Sequence, residues 1–207
     1  MDVIALLPRL HLLRFPVGQA YLWRNADALT LVDAGPPGSG RAIADAVTAL
    51  GHDPAAVRRV VLTHFHEDHA GGAAELADLT GAQVLAHAAD AAVLRREVRA
   101  PEPVLEQWER PLHAAALRHL PVREVEPPAR ISELADGDVL AFGGGARVVH
   151  VPDHRVTPSW IPPASAGGGN EAPAEQGRKS RFAARADRRP PPTPGSTHQI
   201  DAVVCEL

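Results

Sequence analysis

The sequence predicts an α/β fold in which two β-sheets lie between outer layers of helices. Three observations support this prediction. Short apolar runs typical of strands alternate with segments of helical apolar spacing, turn-forming residues separate these segments, and a second β-rich stretch begins near Leu134. The 207 residues are 45% hydrophobic, which is ample for a buried core.

The first predicted strands form a meander. Apolar runs at residues 10–15, 21–23 and 29–32 are separated by turn residues. Residues 33–38 are rich in turn formers, and Ser39 is a candidate N-cap for the amphipathic helix that follows. The order is therefore strands, loop and helix.

Strands and helices alternate in the next part of the chain. Asp53 followed by proline predicts the start of a short helix, and residues 59–62 form a β-rich buried run. Residues 73–79 are predicted to be helical, residues 83–86 to be a strand and residues 88–96 to be a helix. This alternation is typical of layered α/β folds.

The remaining elements are a helical insertion and a second β-rich segment. The insertion is predicted between residues 101 and 120, with Trp108 and Leu112 on one face. The Asp-Gly pair at 136–137 predicts a turn between apolar flanks, and residues 146–151 predict a strong strand.

The composition changes in the last quarter of the chain. Proline, glycine and charged residues dominate there, with little periodic apolar pattern. We therefore divide the chain into a folded domain, residues 1–157, and a Pro/Gly/Arg-rich tail, residues 158–207, which we expect to be mostly disordered. Residues 200–204 can form one isolated strand without a clear partner.

Charge and cysteine content exclude several classes of function. A net charge of −4 gives no basic field for a polyanion, so we expect a small-molecule substrate and no nucleic-acid partner. The single cysteine, Cys205, cannot form an intramolecular disulfide. No apolar run approaches the roughly 20 residues needed to cross a bilayer, and we see no leader segment. The sequence therefore predicts a cytoplasmic protein without membrane contact, and it leaves the oligomeric state open.

A cluster of metal-binding residue types directly follows one of the buried strands. His64, His66, Asp68 and His69 lie within six residues of one another. Histidines two apart at the end of a strand can direct ring nitrogens at one point, and imidazole with carboxylate suits zinc. The alternative is a chance run among 11 histidines, with a probability on the order of 10⁻³. The glycine pair at 71–72 is expected to permit a tight turn after the cluster.

The pattern His64-x-His66-x-Asp68-His69 resembles the signature of the metallo-β-lactamase superfamily. Residues 21–35, 136–138 and 149–154 are similar to further landmarks of that family, so the resemblance covers residues 10–154. It implies an α/β (α+β) fold, a four-layer αββα sandwich.

The resemblance also implies roles for individual residues. His64, His66 and His154 would form a three-histidine zinc site, while Asp68 and His69 would begin a second metal site. Asp68 would also face the bridging water as the catalytic carboxylate. A zinc ion lowers the pKa of its bound water to about 7, which supplies hydroxide near neutral pH.

Three other residues have weaker assignments. Asp33 matches a family aspartate that would support the site from behind as a hydrogen-bond acceptor, with a plain turn residue as the equal alternative. His150 is better explained as a strand histidine than as a ligand. Glu67 is expected to face solvent.

The sequence departs from the family pattern near His154. Asp153 stands where the family segment normally has glycine, and no downstream Gly-Asp pair follows an apolar strand to supply a bridging aspartate. The second metal site and the second half of the sandwich are therefore predicted to be incomplete.

Two functions follow from these observations. The first is a hydrolase that uses one or two Zn²⁺ ions to cleave an ester, thioester, lactone or lactam bond through metal-activated water. The alternative is a catalytically inactive, truncated remnant that at most binds metal. Zinc stoichiometry and turnover distinguish the two.

Overall fold

The computed structural model describes residues 1–102, 105–121 and 125–151, together with the backbone of one strand near the C-terminus. The strands are β1 (Asp2–Leu7), β2 (Leu10–Arg14), β3 (Gln19–Arg24), β4 (Leu29–Val32), β5 (Val57–Val61), β6 (Gln83–His87), β7 (Ile131–Leu134), β8 (Val139–Leu140), β9 (Ala146–Val151) and β10 (Val203–Glu206). The α-helices are α1 (Gly40–Ala49), α2 (Glu67–Ala70), α3 (Ala73–Thr80), α4 (Ala88–Leu94) and α5 (Glu109–Leu117).

The strands form two sheets. The larger sheet has seven strands in the order β1-β2-β3-β4-β5-β6-β7, and the smaller has three in the order β10-β9-β8. Strands β1 to β4 pair antiparallel, whereas β4 to β7 pair parallel. The larger sheet is therefore mixed and flanked by helices, which confirms the predicted α/β fold class.

The central strands β4, β5 and β6 of the larger sheet are buried on both faces. Successive strand residues point to opposite faces, so Val60 and Val61 belong to different apolar clusters. One cluster packs the sheet against the helices and includes Leu31, Val60 and Val84 with Ile43 of α1 and Leu76 of α3. The other packs it against the smaller sheet and includes Val32, Val61 and Leu85 with Phe142 and Val148. Helices, large sheet and small sheet thus form three successive layers.

Two helix starts were predicted from capping residues, and both helices begin where predicted, but only one of the two side chains makes a capping hydrogen bond. Ser39 makes no side-chain cap for α1; instead the Gly40 amide donates to Glu75 Oε2 at 2.9 Å, from α3. A partner that distant in sequence cannot be identified from local spacing. Asp53 does accept from the Ala55 amide at 2.8 Å and begins a single 3₁₀ turn, Pro54–Ala56.

The first and the last strand of the chain differ from what the sequence predicted. Strand β1 was not predicted, because it lies at the sheet edge with most of its residues exposed and shows no inside-outside alternation. Of the strand predicted at 200–204, residues 200–202 lie outside the described residues and Val203 and Val204 begin β10, but the expected isolation was wrong. Strand β10 pairs in parallel with β9, with Cys205 opposite His150 in the register.

The Asp136-Gly137 turn does not close a hairpin. Gly137 has a φ of 86°, as a tight turn requires. However, β7 before the turn belongs to the larger sheet and β8 after it to the smaller one. The turn therefore carries the chain between sheets, which local sequence does not reveal.

The predicted insertion contains helix α5. Trp108 and Leu112 share an exposed side, with exposed fractions of 67% and 38%. In the described ranges, no helix is long and apolar enough to cross a membrane. The outer layer of the four-layer sandwich, its incompleteness and the boundary between residues 157 and 158 lie outside the described residues.

Candidate metal centre

The candidate site lies where three neighbouring parallel strands end. Asp33 directly follows β4, the histidine cluster follows β5, and Asp90 lies in the helix that follows β6. Because β4, β5 and β6 pair in parallel, their carboxyl ends meet at one edge of the sheet. This edge is where open α/β sheets commonly bind ligands.

The structure brings four of the five predicted ligands together. The ring centroid of His64 lies 4.6 Å from that of His66 and 4.3 Å from that of His69. Asp68 and His69 lie on the short helix α2, and Asp68 Oδ2 is 3.4 Å from His69 Nε2. The fifth predicted ligand, His154, lies outside the described residues.

Asp33 connects the parts of this cluster. Its side chain is almost fully buried, and it accepts hydrogen bonds from the Thr63 amide at 2.8 Å and the Thr63 hydroxyl at 2.9 Å. His69 Nδ1 lies 2.8 Å from Asp33 Oδ2. Asp33 has a φ of 62°, a left-handed conformation that aspartate tolerates better than most residues. It is therefore a hydrogen-bonded support of the cluster rather than a plain turn residue.

The same network assigns the histidine tautomers. An ionised carboxylate only accepts, so His69 donates from Nδ1 and the Thr63 hydroxyl donates its proton to Asp33. The hydroxyl oxygen, 2.9 Å from His64 Nδ1, then accepts from that ring nitrogen. In both rings Nε2 is the nitrogen that would bind a metal. Carboxylate support of this kind is typical of metal-binding histidines.

The glycines after the cluster permit close packing rather than an unusual turn. Gly71 and Gly72 lie in a turn, as predicted, but their φ values of −60° and −89° are ones that any residue adopts. A Cβ on Gly72 would lie 2.4 Å from the Ala34 carbonyl oxygen, and one on Gly71 would lie 2.4 Å from the Pro37 nitrogen. Helix α2 is thus held directly against the loop after β4.

Sequence reasoning missed Asp90. This residue is 0% exposed, and its Oδ1 accepts from the Phe65 amide at 3.1 Å. Burial raises the pKa of the Asp90 carboxyl from 3.8 to about 7, against the opposing effect of the Phe65 hydrogen bond. The available signal was a single acid within an otherwise apolar helical segment, residues 88–94.

A second pair of histidines joins the two sheets. His87 at the end of β6 and His150 of β9 stack with ring centroids 4.0 Å apart and an interplanar angle of 11°. His150 Nδ1 is buried and has no hydrogen-bond partner among the described residues. Burial, followed by the neighbouring His150, lowers the pKa of His87. His150 is therefore a strand histidine, and Glu67 is exposed, both as expected.

The side chains at this site are of the chemical types that bind zinc. Imidazole and carboxylate groups converge at one sheet edge, and Asp33 orients two of the rings. Within residues 1–102, 105–121 and 125–151, no group of three or more His, Cys, Asp or Glu side chains is arranged to hold a metal ion. The described part of the chain thus supplies an incomplete ligand set.

Comparison with known proteins identifies a matching family and a related enzyme. The family model of the metallo-beta-lactamase superfamily matches residues 13–161. A hydroxyacylglutathione hydrolase from Anaeromyxobacter dehalogenans (strain 2CP-C) is 36% identical over 148 residues, covering 69% of this chain and 54% of that protein.

Solved structures show the same likeness. MEM-A1, a subclass B3 metallo-beta-lactamase from a soil metagenome library, has a TM-score of 0.57 and 28% identity, covering 75% of this chain and 54% of that one. A metallo-beta-lactamase mutant from Cronobacter sakazakii has a TM-score of 0.59 and 25% identity, covering 75% and 55% of the two chains. The chain spans about half the length of the relatives it matches.

Proposed function

Because the chain belongs to the metallo-β-lactamase superfamily, whose members are typically metal-dependent hydrolases that usually bind zinc, we propose that it is a zinc-dependent hydrolase. It would cleave an ester, thioester, lactone or lactam bond of a small molecule with water. The observation that carries this proposal is the buried Asp33, which orients His69 directly and His64 through Thr63.

Each residue of the cluster has a distinct role in this proposal. His64, His66 and His154 would hold one zinc ion, and Asp68 with His69 would contribute to a second. Zinc bound there would lower the pKa of a coordinated water to about 7. The Asp68 carboxylate would accept the proton of the attacking water and return it to the leaving group.

A thioester is the favoured substrate class. Support comes from the 36% identity to a hydroxyacylglutathione hydrolase, which exceeds the 25–28% identity to the metallo-β-lactamases above. A lactam is therefore the second choice. The substrate of this chain is part of the proposal, because pocket loops rather than the fold set specificity.

The test combines metal content with turnover. Zinc stoichiometry is measured by mass spectrometry, and hydrolysis is measured on a hydroxyacyl-glutathione thioester, a simple ester, a lactone and a β-lactam. We expect one or two zinc ions per chain and the fastest turnover on the thioester. The double variant His64→Ala/His66→Ala should lose zinc and activity, whereas His119→Ala, which changes an exposed histidine after α5, should lose neither.

Replacing Asp68 separates binding from catalysis. Asp68→Asn removes the proton acceptor and should lower kcat by about 10² to 10⁴ while the His64/His66 ion is retained. Zinc bound without turnover on any of the four substrates would favour the alternative, an inactive metal-binding protein. Unchanged zinc content in His64→Ala/His66→Ala would refute both functions.

A further inference from the structure

Asp90 is a buried acid to which the proposed function gives no role. It lies on α4, immediately after β6, and its neighbours in that helix are mainly alanine, valine and leucine. Its side chain is 0% exposed. Burying a carboxyl group in apolar surroundings is unfavourable unless hydrogen bonds compensate it. The contacts of the Asp90 carboxyl therefore indicate its role.

Among the described residues, one hydrogen bond from outside α4 reaches Asp90, and it comes from the centre of the candidate metal site. Asp90 Oδ1 accepts from the amide of Phe65 at 3.1 Å. Phe65 lies between His64 and His66, in a segment that belongs to neither a strand nor a helix. The bond thus fixes the peptide unit that joins two proposed ligands.

The second carboxyl oxygen of Asp90 has no comparable hydrogen bond among the described residues. Asp90 Oδ2 is buried, with no hydrogen-bond partner in the described part of the chain. A buried polar atom without a partner usually costs about 1 to 3 kcal/mol. A hydroxyl acceptor would bond Phe65 without burying a second polar group, so the stability of α4 alone does not explain a side chain of this kind here.

Asp33 and Asp90 act on the same segment from opposite sides. Asp33 follows β4 and contacts Thr63 and His69, whereas Asp90 follows β6 and contacts Phe65. Strand β5, which carries the segment, lies between β4 and β6. The loop that begins at Thr63 is therefore anchored to both neighbouring strands.

We propose that Asp90 is a positioning residue, which holds the Phe65 backbone so that the imidazoles of His64 and His66 are directed at one metal ion. This inference rests on the proposed function for the identity of the metal ligands. It does not require Asp90 to touch metal or substrate. The hydrogen bond itself can be tested without metal.

The first measurement is amide hydrogen exchange in the metal-free protein. In the wild-type chain, the Phe65 amide should exchange at least about tenfold more slowly than an unprotected amide. Asp90→Ala should remove this protection, and Asp90→Asn, which keeps an acceptor oxygen, should preserve it. Asp45→Asn, an exposed aspartate on α1, is the matched control and should change nothing. A wild-type Phe65 amide without protection overturns the proposal and needs no variant.

The second measurement is the zinc Kd, determined by competition with a chromophoric chelator. Asp90→Ala should weaken binding by about 10- to 100-fold, as loss of an outer support typically does. Asp90→Asn should stay within about threefold of wild type. If Asp90→Ala does not fold, Asp90→Leu, which fills the space without an acceptor, replaces it.

The two readouts separate this inference from the proposed function. A variant that loses Phe65 protection but keeps the wild-type zinc Kd overturns the positioning role, because Asp90 would then be structural only. Equal losses in Asp90→Asn and Asp90→Ala also overturn it. A wild-type chain that binds no zinc defeats the proposed function, and with it the assignment of ligands, even if Phe65 protection depends on Asp90.

Discussion

The described part of the chain contains two groups of neighbouring histidines, and they differ in what surrounds them. In the cluster after β5, three rings meet at steep or tilted angles, and a buried carboxylate contacts one of them directly. In the pair formed by His87 and His150, the rings lie nearly parallel, 4.0 Å apart. Within each group the rings are close in space, but only the first group has a buried carboxylate that orients its rings.

The difference shows that proximity of histidines is not enough to indicate a metal site. A histidine that binds a metal through one ring nitrogen normally donates a hydrogen bond from the other to a carboxylate or carbonyl oxygen, which fixes its tautomer. His69 does so with Asp33, whereas His150 Nδ1 is buried without a partner among the described residues. The stacked pair is therefore better explained as packing between the two sheets.

The test with the largest expected effect removes the carboxylate of Asp33. Asp33→Ala leaves the Thr63 amide, the Thr63 hydroxyl and His69 Nδ1 without their acceptor in a buried site. It also places alanine at a φ of 62°. We expect the free energy of unfolding to fall by about 4 kcal/mol and zinc binding to be lost. Urea denaturation measures the first effect.

The control for this change is Asp27→Ala, an exposed aspartate in the turn before β4. It should leave the urea midpoint nearly unchanged. A loss below about 1 kcal/mol in Asp33→Ala would mean that the network around Asp33 contributes no more than a single ordinary hydrogen bond. The contrast between the two histidine groups would then lose its physical basis.

A smaller effect concerns the pH dependence of stability. Burial raises the pKa of Asp90 to about 7 from 3.8, so between these values the folded chain binds more protons than the unfolded chain. The contribution of Asp90 is fully present below about pH 4, and it is lost as the pH rises through about 7. One pKa unit corresponds to about 1.4 kcal/mol, so the loss amounts to a few kcal/mol.

Asp90→Asn should remove this part of the pH dependence, because a carboxamide does not titrate in this range. The measurement is the free energy of unfolding of the metal-free protein between pH 4 and pH 8, with Asp45→Asn as the control. His87 acts in the opposite direction: its lowered pKa diminishes stability as the pH falls below 6.5. Parallel curves for wild type and Asp90→Asn would contradict the prediction.

Local sequence predicted those features that depend on local spacing. The strand before the cluster and the helix after it follow from apolar periodicity, and the grouping of the four candidate ligands among residues 64–69 follows from their spacing. The antiparallel meander of β2, β3 and β4 follows from short apolar runs and turn residues. Each of these depends on residues only a few positions apart.

The features that were missed depend on contacts between distant residues. Glu75 caps α1 across 35 positions, and Asp90 reaches Phe65 across 25. The Asp136-Gly137 turn has the local signature of a hairpin, yet it separates strands of different sheets. A single sequence does not specify these pairings, because they arise from how the layers pack rather than from the residues at either end.

The smallest expected effect tests the second histidine group. In His150→Leu, an apolar side chain of similar size replaces a ring whose Nδ1 is buried and has no partner within the described ranges. Replacing such an atom with an apolar group should be neutral or should stabilise the fold by about 1 kcal/mol. Zinc content should not change, whereas His64→Leu, the matched substitution in the cluster, should lower it. Loss of zinc in His150→Leu would show that the stacked pair belongs to the metal centre, because a histidine that only packs between sheets has no reason to affect metal binding.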